Sequence, residues 1–134
     1  MQARKYPGTA IQTALYQRLT EDITDITIGD MPVPQGTAKP YIGIGDETAT
    51  PDDTKTDTGD DTEVDLHVFS DGPGKKIAKQ ILARIVTAVF RAKLSLGVDF
   101  SHLNTTVTRN QVWLDEDGQT QHGLLTINIK TETK

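Results

Sequence analysis

The residues best suited to chemistry lie in one acidic segment, GDETATPDDTKTDTGDD, at positions 45–61. Seven of its side chains are carboxylates and one is a lysine, and most of the others are threonines and glycines. Carboxylates at alternating positions are what Ca²⁺ needs, as in the twelve-residue loop of an EF-hand. The segment therefore has to be tested first as a metal site.

Neither plausible starting residue reproduces that loop. If it began at Asp53, Lys55 would occupy the third position and Val64 the bidentate twelfth one. If it began at Asp52, Asp57 would stand where the sharp turn requires glycine. The pattern instead predicts a flexible, solvated acidic loop at about 46–61, joining two strands. A small metal-dependent hydrolase or metal-binding protein that uses this loop and His67 stays open as the alternative.

No other pattern predicts catalysis or a bound cofactor. The three histidines are far apart in sequence, and there is no cysteine to supply a thiolate or a zinc ligand. No G-x-S-x-G nucleophile elbow occurs, and DGPGKK at 71–76 lacks the spacing of a phosphate-binding loop. Asp115 and Asp117 precede Gly118 and are typical of a hairpin turn. The sequence thus predicts a protein that is not an enzyme and has no metal or cofactor.

Charge is segregated along the chain. Positions 75–94 contain six basic residues and no acidic one, so the acidic segment and a basic helix form two blocks of opposite sign. Such blocks are typical of interaction surfaces, although solvated faces look the same. Val86 and Phe90 fall on the basic side of this helix and form a small apolar patch that a neighbouring subunit can cover. The predicted interface residues are Asp46, Glu47, Asp52, Asp53, Asp57, Asp60, Asp61, Lys75, Lys76, Lys79, Arg84, Val86, Phe90 and Arg91.

Length and composition limit the remaining possibilities. A chain of 134 residues fits one domain, here predicted to span 1–134. The net charge of −5 disfavours non-specific binding to nucleic acid or to an anionic membrane. Because the first residues have no apolar stretch and no long apolar run follows, we expect neither a secretory signal nor a membrane span.

Periodicity predicts the elements that must position these charges. Helices are indicated at 9–20, where Thr9 and Gln12 have capping-box spacing, and at 75–94, where an apolar stripe begins at Ile77. Strands are predicted at 23–28, 41–45, 62–70, 105–114 and 123–130. This order favours an α+β fold: a mainly antiparallel β-sheet with two helices packed on one face.

The order of the motifs resembles a known family. PYIGIG, the acidic Thr-rich segment, LHVFS and the GKK helix start are similar to the central block of the small tail-completion proteins of siphophages, whose fold is like that of the tail terminators. DEDGQTQHGLLTINI resembles the closing hairpin of those proteins. With the opening helix ALYQRL, the likeness extends over nearly the whole chain.

The resemblance implies a structural virion protein at the head–tail interface, made in the host cytoplasm. Such a tail-to-head joining protein caps the tail tube as a hexameric ring and binds the head-completion (stopper) protein. DNA passes through its lumen without specific binding. Its expected partners are other copies of itself, the tail tube protein and the stopper protein. The polarity of the acidic loop is also compatible with a free chain that is monomeric and forms its ring only on the tail end. A monomeric binding module unrelated to virions remains a third possibility.

Overall fold

The computed structural model describes residues 4–134 and has one five-stranded sheet with two helices on one face. The elements are α1 (Gly8–Asp22), β1 (Thr27–Asp30), β2 (Tyr41–Pro51), β3 (Gly59–Ser70), α2 (Lys76–Phe90), β4 (Phe100–Leu114) and β5 (Gln121–Thr133). The strand order is β1-β2-β3-β5-β4, with β1 parallel to β2 and the other neighbours antiparallel. The predicted α+β class is confirmed. No helix in the described chain is long and apolar enough to cross a membrane.

The core lies between the helices and the inner face of the sheet. Strand β3 alternates, so Val64, Leu66 and Val68 enter the core while the residues between them point to the open outer face. Leu125 and Ile127 of β5 pair with Leu66 and Val64 and are fully buried beside them. The period-two pattern thus decides which face the helices cover.

The predicted flexible loop at about 46–61 is wrong in its extent. Strand β2 continues to Pro51 and β3 starts at Gly59, and the two pair through Glu47–Val64 to Pro51–Asp60. Thr48 and Thr50 of β2 lie opposite Glu63 and Asp61 of β3 here, and threonine favours the extended backbone. Only residues 52–58 form the turn, which is closed by a 2.9 Å hydrogen bond from the Asp52 N–H to the Gly59 carbonyl.

Several boundaries also differ from the prediction. Helix α1 begins one residue before Thr9, after Pro7, and has no side-chain cap, so the predicted capping box is wrong. The strand predicted at 23–28 lies at Thr27–Asp30, because Ile23 packs in the core directly after α1. Helix α2 stops at Phe90 rather than near position 94.

The predicted apolar stripe of α2 is also displaced at its start. Ile77 is 50% exposed, whereas Ala78, Ile81 and Leu82 are buried. In its first turn the helix therefore directs Ala78 toward the sheet in place of the predicted Ile77, and Ile77 points to solvent.

Candidate interaction surfaces

The acidic hairpin formed by β2 and β3 satisfies several of its charges internally. Asp52 contacts the Lys130 ammonium at 2.7 Å, and Arg4 forms ion pairs with both Asp53 and Asp60, the latter at 3.1 Å. The Arg4 hydrogen bond lowers the pKa of Asp53. Burial raises the pKa of Asp60 despite the same arginine, because desolvation of the carboxylate outweighs the attraction. These three predicted interface residues therefore hold the hairpin to its own fold.

The other acidic residues of the hairpin are more available. Glu47 accepts a hydrogen bond of 3.0 Å from the Tyr6 hydroxyl, and Asp57 contacts the Thr56 hydroxyl at 3.1 Å. Asp46 is exposed and Asp61 half-buried, and neither forms an ion pair within the part of the chain that the structure describes. The predicted acidic surface is thus reduced to part of its residues.

The basic residues of α2 divide in the same way. Arg91 binds Asp22, the last residue of α1, at 2.9 Å. Arg84 pairs with Asp25, in the segment that follows α1. Each interaction raises the pKa of its arginine, chiefly through the hydrogen bond to the carboxylate. The two arginines hold helix α2 to its own chain rather than forming a free basic surface.

Lys75, Lys76 and Lys79 remain exposed at the N-terminal end of α2. None of the three forms an ion pair with another residue of 4–134. Lys75 and Lys79 line a groove between α2 and β4, together with the side of Val86. Val86 is half-buried against the core, and Phe90, one turn later, is 44% exposed outside this groove. Of the predicted apolar patch, Phe90 is thus the more exposed member and Val86 contributes partly to the core.

An aromatic ladder, formed by Tyr41, Phe69, His122 and Trp113, crosses four strands on the outer face of the sheet. These residues are direct cross-strand partners, and their ring centroids are 4.7, 4.2 and 4.2 Å apart along the row. Cross-strand aromatic pairs stabilise a sheet by about 0.2–1 kcal/mol each. The ladder therefore fixes the register of β2, β3, β5 and β4 on the face without helices.

Two histidines meet beside this ladder. Nδ1 of His67 lies 2.7 Å from Nε2 of His122, whose Nδ1 donates to Asp115 at 3.1 Å. In the neutral tautomer that carries its proton on Nδ1, Nε2 of His122 accepts from Nδ1–H of His67. Burial, followed by the nearby His122, lowers the pKa of His67. No sequence pattern predicts this pair, since 55 positions separate the two residues.

Within residues 4–134, no group of three or more His, Asp or Glu side chains is arranged to hold a metal ion. Asp115 and Asp117 occupy the predicted hairpin turn, where Asp117 accepts from the Thr120 hydroxyl at 2.6 Å and from two backbone N–H groups. These hydrogen bonds lower the pKa of Asp117 to about 2. The two carboxylates serve the turn and the histidine pair.

Comparisons with known proteins agree with the motifs. Residues 13–132 match the family described as Tail completion protein gp17. The chain belongs to this family. Tail completion protein gp17 of Bacillus phage SPP1 is 30% identical over 117 residues, which cover 85% of this chain and 81% of that protein. The chain is accordingly a tail completion protein, a structural component of a virion, and the resemblance in its sequence motifs is confirmed.

Solved structures show the same fold. The structure of the bacteriophage SPP1 gp17 protein is 26% identical, has a TM-score of 0.62 and is matched over 96% of this chain and 94% of that one. A chain in the virion of a native gene transfer agent particle has a TM-score of 0.85 at 22% identity, over 96% of this chain and 99% of that one. This second likeness is one of fold.

The motifs of this tail completion protein meet in space. A β-carbon on Gly45 of the IGD motif would lie 2.7 Å from the ring of His67 in LHVFS. In the HG motif His122 joins the ladder, and a β-carbon on Gly123 would lie 3.1 Å from Leu82 of α2. Each glycine leaves room for a large neighbour, one on each face of the sheet. The separated motifs therefore specify how the strands pair and how α2 packs.

Proposed function

We propose that this tail completion protein caps the tail tube as a hexameric ring and joins the tail to the head-completion (stopper) ring. DNA then passes through the lumen without specific binding, at the head–tail interface of the virion. The observation that carries the proposal is the 30% identity to tail completion protein gp17 of phage SPP1 over 85% of the chain. The assembling unit is one domain spanning residues 1–134, made in the host cytoplasm.

The distribution of free charge supports contacts between copies. Exposed lysines at the start of α2 and the acidic residues Asp46, Asp57 and Asp61 lie on different elements of one chain. Complementary surfaces at different places on a subunit produce head-to-tail contacts, and these close into rings when the rotation permits. Phe90 supplies exposed apolar area at the other end of the same helix. The free chain is a monomer that assembles on the tail end.

In this role the protein needs no catalytic activity and no cofactor. The carboxylates that a metal-dependent hydrolase would use are engaged, Asp52 with Lys130 and Asp53 with Arg4. His67 is engaged with His122. No contact within residues 4–134 favours the hydrolase over the structural role.

Electron microscopy of the purified protein mixed with isolated tails tests the proposal. We expect a ring of added density at the end of the tail that binds the head. Lys79→Glu should reduce this density, whereas Lys93→Glu, the same charge change beyond the end of α2, should leave it unchanged. Tails without added density, mixed with protein of normal circular dichroism, would refute the capping role.

A further inference from the structure

Strand β4 is a long sheet edge with little protection. It has fifteen residues, pairs with β5 on one side, and makes no backbone hydrogen bond on its other side from Leu103 to Leu114 within residues 4–134. Monomeric proteins protect such edges with lysine, proline or short strands. Here Arg109 is the one Lys or Arg of the strand, and there is no proline. Register shifts bend the strand near His102 and Val107, but Arg109–Leu114 is regular.

Strand β2 presents a second open edge on the opposite side of the sheet. Its neighbour β1 pairs with Tyr41–Ile44 and ends there, whereas β2 continues to Pro51. Residues 45–51 have no backbone partner on that side among the described residues. Within residues 4–134 the sheet therefore has two unpaired strand edges on opposite sides, β4 and the part of β2 beyond the end of β1.

The two edges carry opposite charge. The β4 edge carries Arg109 of the strand itself, and the groove lysines Lys75 and Lys79 lie beside residues 110–112 of β4. Asp30, the last residue of β1, and Asp46 of β2 are exposed at the other edge. None of these five charges forms an ion pair within the described chain. Each edge thus matches the other in backbone hydrogen-bonding capacity and in charge.

We propose that the β4 edge of one copy pairs with residues 45–51 of β2 in the next copy, so that the sheet continues from subunit to subunit. The inference rests on the proposed ring and states how its subunits meet. Strands β2 and β4 run in opposite directions within one chain, as the strand order and pairing show. If neighbouring subunits are related by rotation about an axis roughly parallel to the strands, each strand keeps its direction, so the new pair of β4 and β2 is antiparallel. The two strands belong to different surfaces of the subunit, as a head-to-tail ring requires.

The absence of cysteine allows a direct test by disulfide formation. Thr48 lies on the outer face of the sheet, in one row with Glu63, Asn128 and Thr106 across the strands. Thr48→Cys is combined with one β4 change in the same chain. Three double variants scan the register, with the second cysteine replacing Asn104, Thr106 or Gln111. Each double variant is oxidised in two preparations, once as the free protein at high concentration and once bound to isolated tails. The products of both are separated without reductant.

We expect at least one double variant to lose most of its monomer band to a ladder that ends at the closed ring. Single-cysteine variants should give at most dimers in low yield. Thr48→Cys combined with Thr13→Cys, on the exposed side of α1, should give no ladder. High salt during assembly should weaken the ladder, because the facing charges are exposed.

Three results would overturn the edge pairing. One is the absence of a ladder from every double variant, both in the free protein and on tails. Another is efficient dimerisation of the single variant Thr106→Cys, which would mean that β4 pairs with β4. The third is a cross-link from β4 to a different tail protein. Tail binding by the unaltered chain is scored separately by microscopy. Rings on tails without any ladder would refute the edge pairing alone, whereas a ladder without tail binding would refute the capping role alone.

Discussion

Helix α2 is basic at both ends, but its two ends have different partners. At the C-terminal end the guanidinium of Arg18 donates to the carbonyls of Ala88 and Ala92, each at 3.0 Å, and Arg91 binds Asp22. At the N-terminal end Lys75, with the two lysines that follow, has no ion-pair partner among residues 4–134.

The difference shows that equal charges in a sequence perform different tasks. Arginine presents a planar, multidentate donor that suits the last carbonyls of a helix and the carboxylates of a neighbouring element. Lysine is a strongly hydrated point charge that is easily left at the surface. The C-terminal end of α2 thus contributes to folding, and the N-terminal end is available for assembly.

The largest effect on folding at the charged C-terminal end should come from Arg18→Ala. It removes charged hydrogen bonds to carbonyls that close α2, so we expect a loss of about 1–3 kcal/mol in the free energy of unfolding. Urea denaturation followed by circular dichroism measures the loss. Gln17→Ala, at the exposed neighbouring position, is the control and should change stability little. An unchanged Arg18→Ala variant would show that water replaces the guanidinium without cost.

Acid should weaken the same end through His102. Its Nδ1 accepts a 2.8 Å hydrogen bond from the Leu94 N–H, which requires the unprotonated ring. Burial lowers its pKa below the ordinary 6.5, and Lys93 and Arg18 add to this. The unfolded chain therefore binds the proton more readily, so the stability from this group is complete above about pH 6.5 and is lost as the pH falls toward the folded-state pKa.

Urea midpoints at pH 7.5 and pH 5.5 measure this loss. His102→Asn keeps an acceptor for the Leu94 N–H but cannot titrate, so its midpoint should depend less on pH. The pKa of His67 is lowered as well, chiefly by burial, and His67→Asn should remove a separate part of the dependence. Equal pH dependence in all three proteins would contradict the assignment.

A smaller effect is expected from the ion pair between Arg91 and Asp22. The Arg91 side chain is 48% exposed, and exposed pairs contribute about 0–1 kcal/mol. A double-mutant cycle of Asp22→Asn and Arg91→Gln should give a coupling energy in that range, which decreases in high salt. A coupling well above it would mean that this pair is as important for folding as Arg18.

The smallest effect on folding should follow from reversing the free lysines. Lys75→Glu, Lys76→Glu and Lys79→Glu combined should change the free energy of unfolding by no more than about 0.5 kcal/mol per site, as is usual for exposed positions. The same variant should lose ring formation on tails. If it unfolded as easily as Arg18→Ala, the two ends of α2 would not differ in the way described.

Local patterns predicted much of this fold. The alternation in β3 indicated its buried face, and the turn at Asp115–Gly118 was correct, with a 2.8 Å hydrogen bond from the Asp115 N–H to the Thr120 carbonyl. The predicted extent of the acidic loop is wrong because a high density of carboxylates does not prevent strand pairing: Thr48 and Thr50 lie opposite Glu63 and Asp61. The exposed Ile77 was misplaced because one apolar residue at a helix start does not define the buried arc.

The candidate surfaces were predicted less completely. The sequence shows the two blocks of charge. It does not show which of their residues already have an ion-pair partner, because Arg4 lies far in sequence from Asp53 and Asp60. Sequence order gives no distance between such residues. For the same reason the sequence does not predict the contact between His67 and His122, although each residue stands in one of the family's motifs.

The sequence by itself determined the family, the α+β class and the two blocks of opposite charge, because these depend on motif order, local periodicity and composition. The tertiary structure alone decided which charges remain free, which rings meet on the outer face and which strand edges stay open. Those properties arise from contacts between distant segments, where each side chain takes the partner that folding brings within reach. An open edge, in particular, exists only once the other strands have found their neighbours.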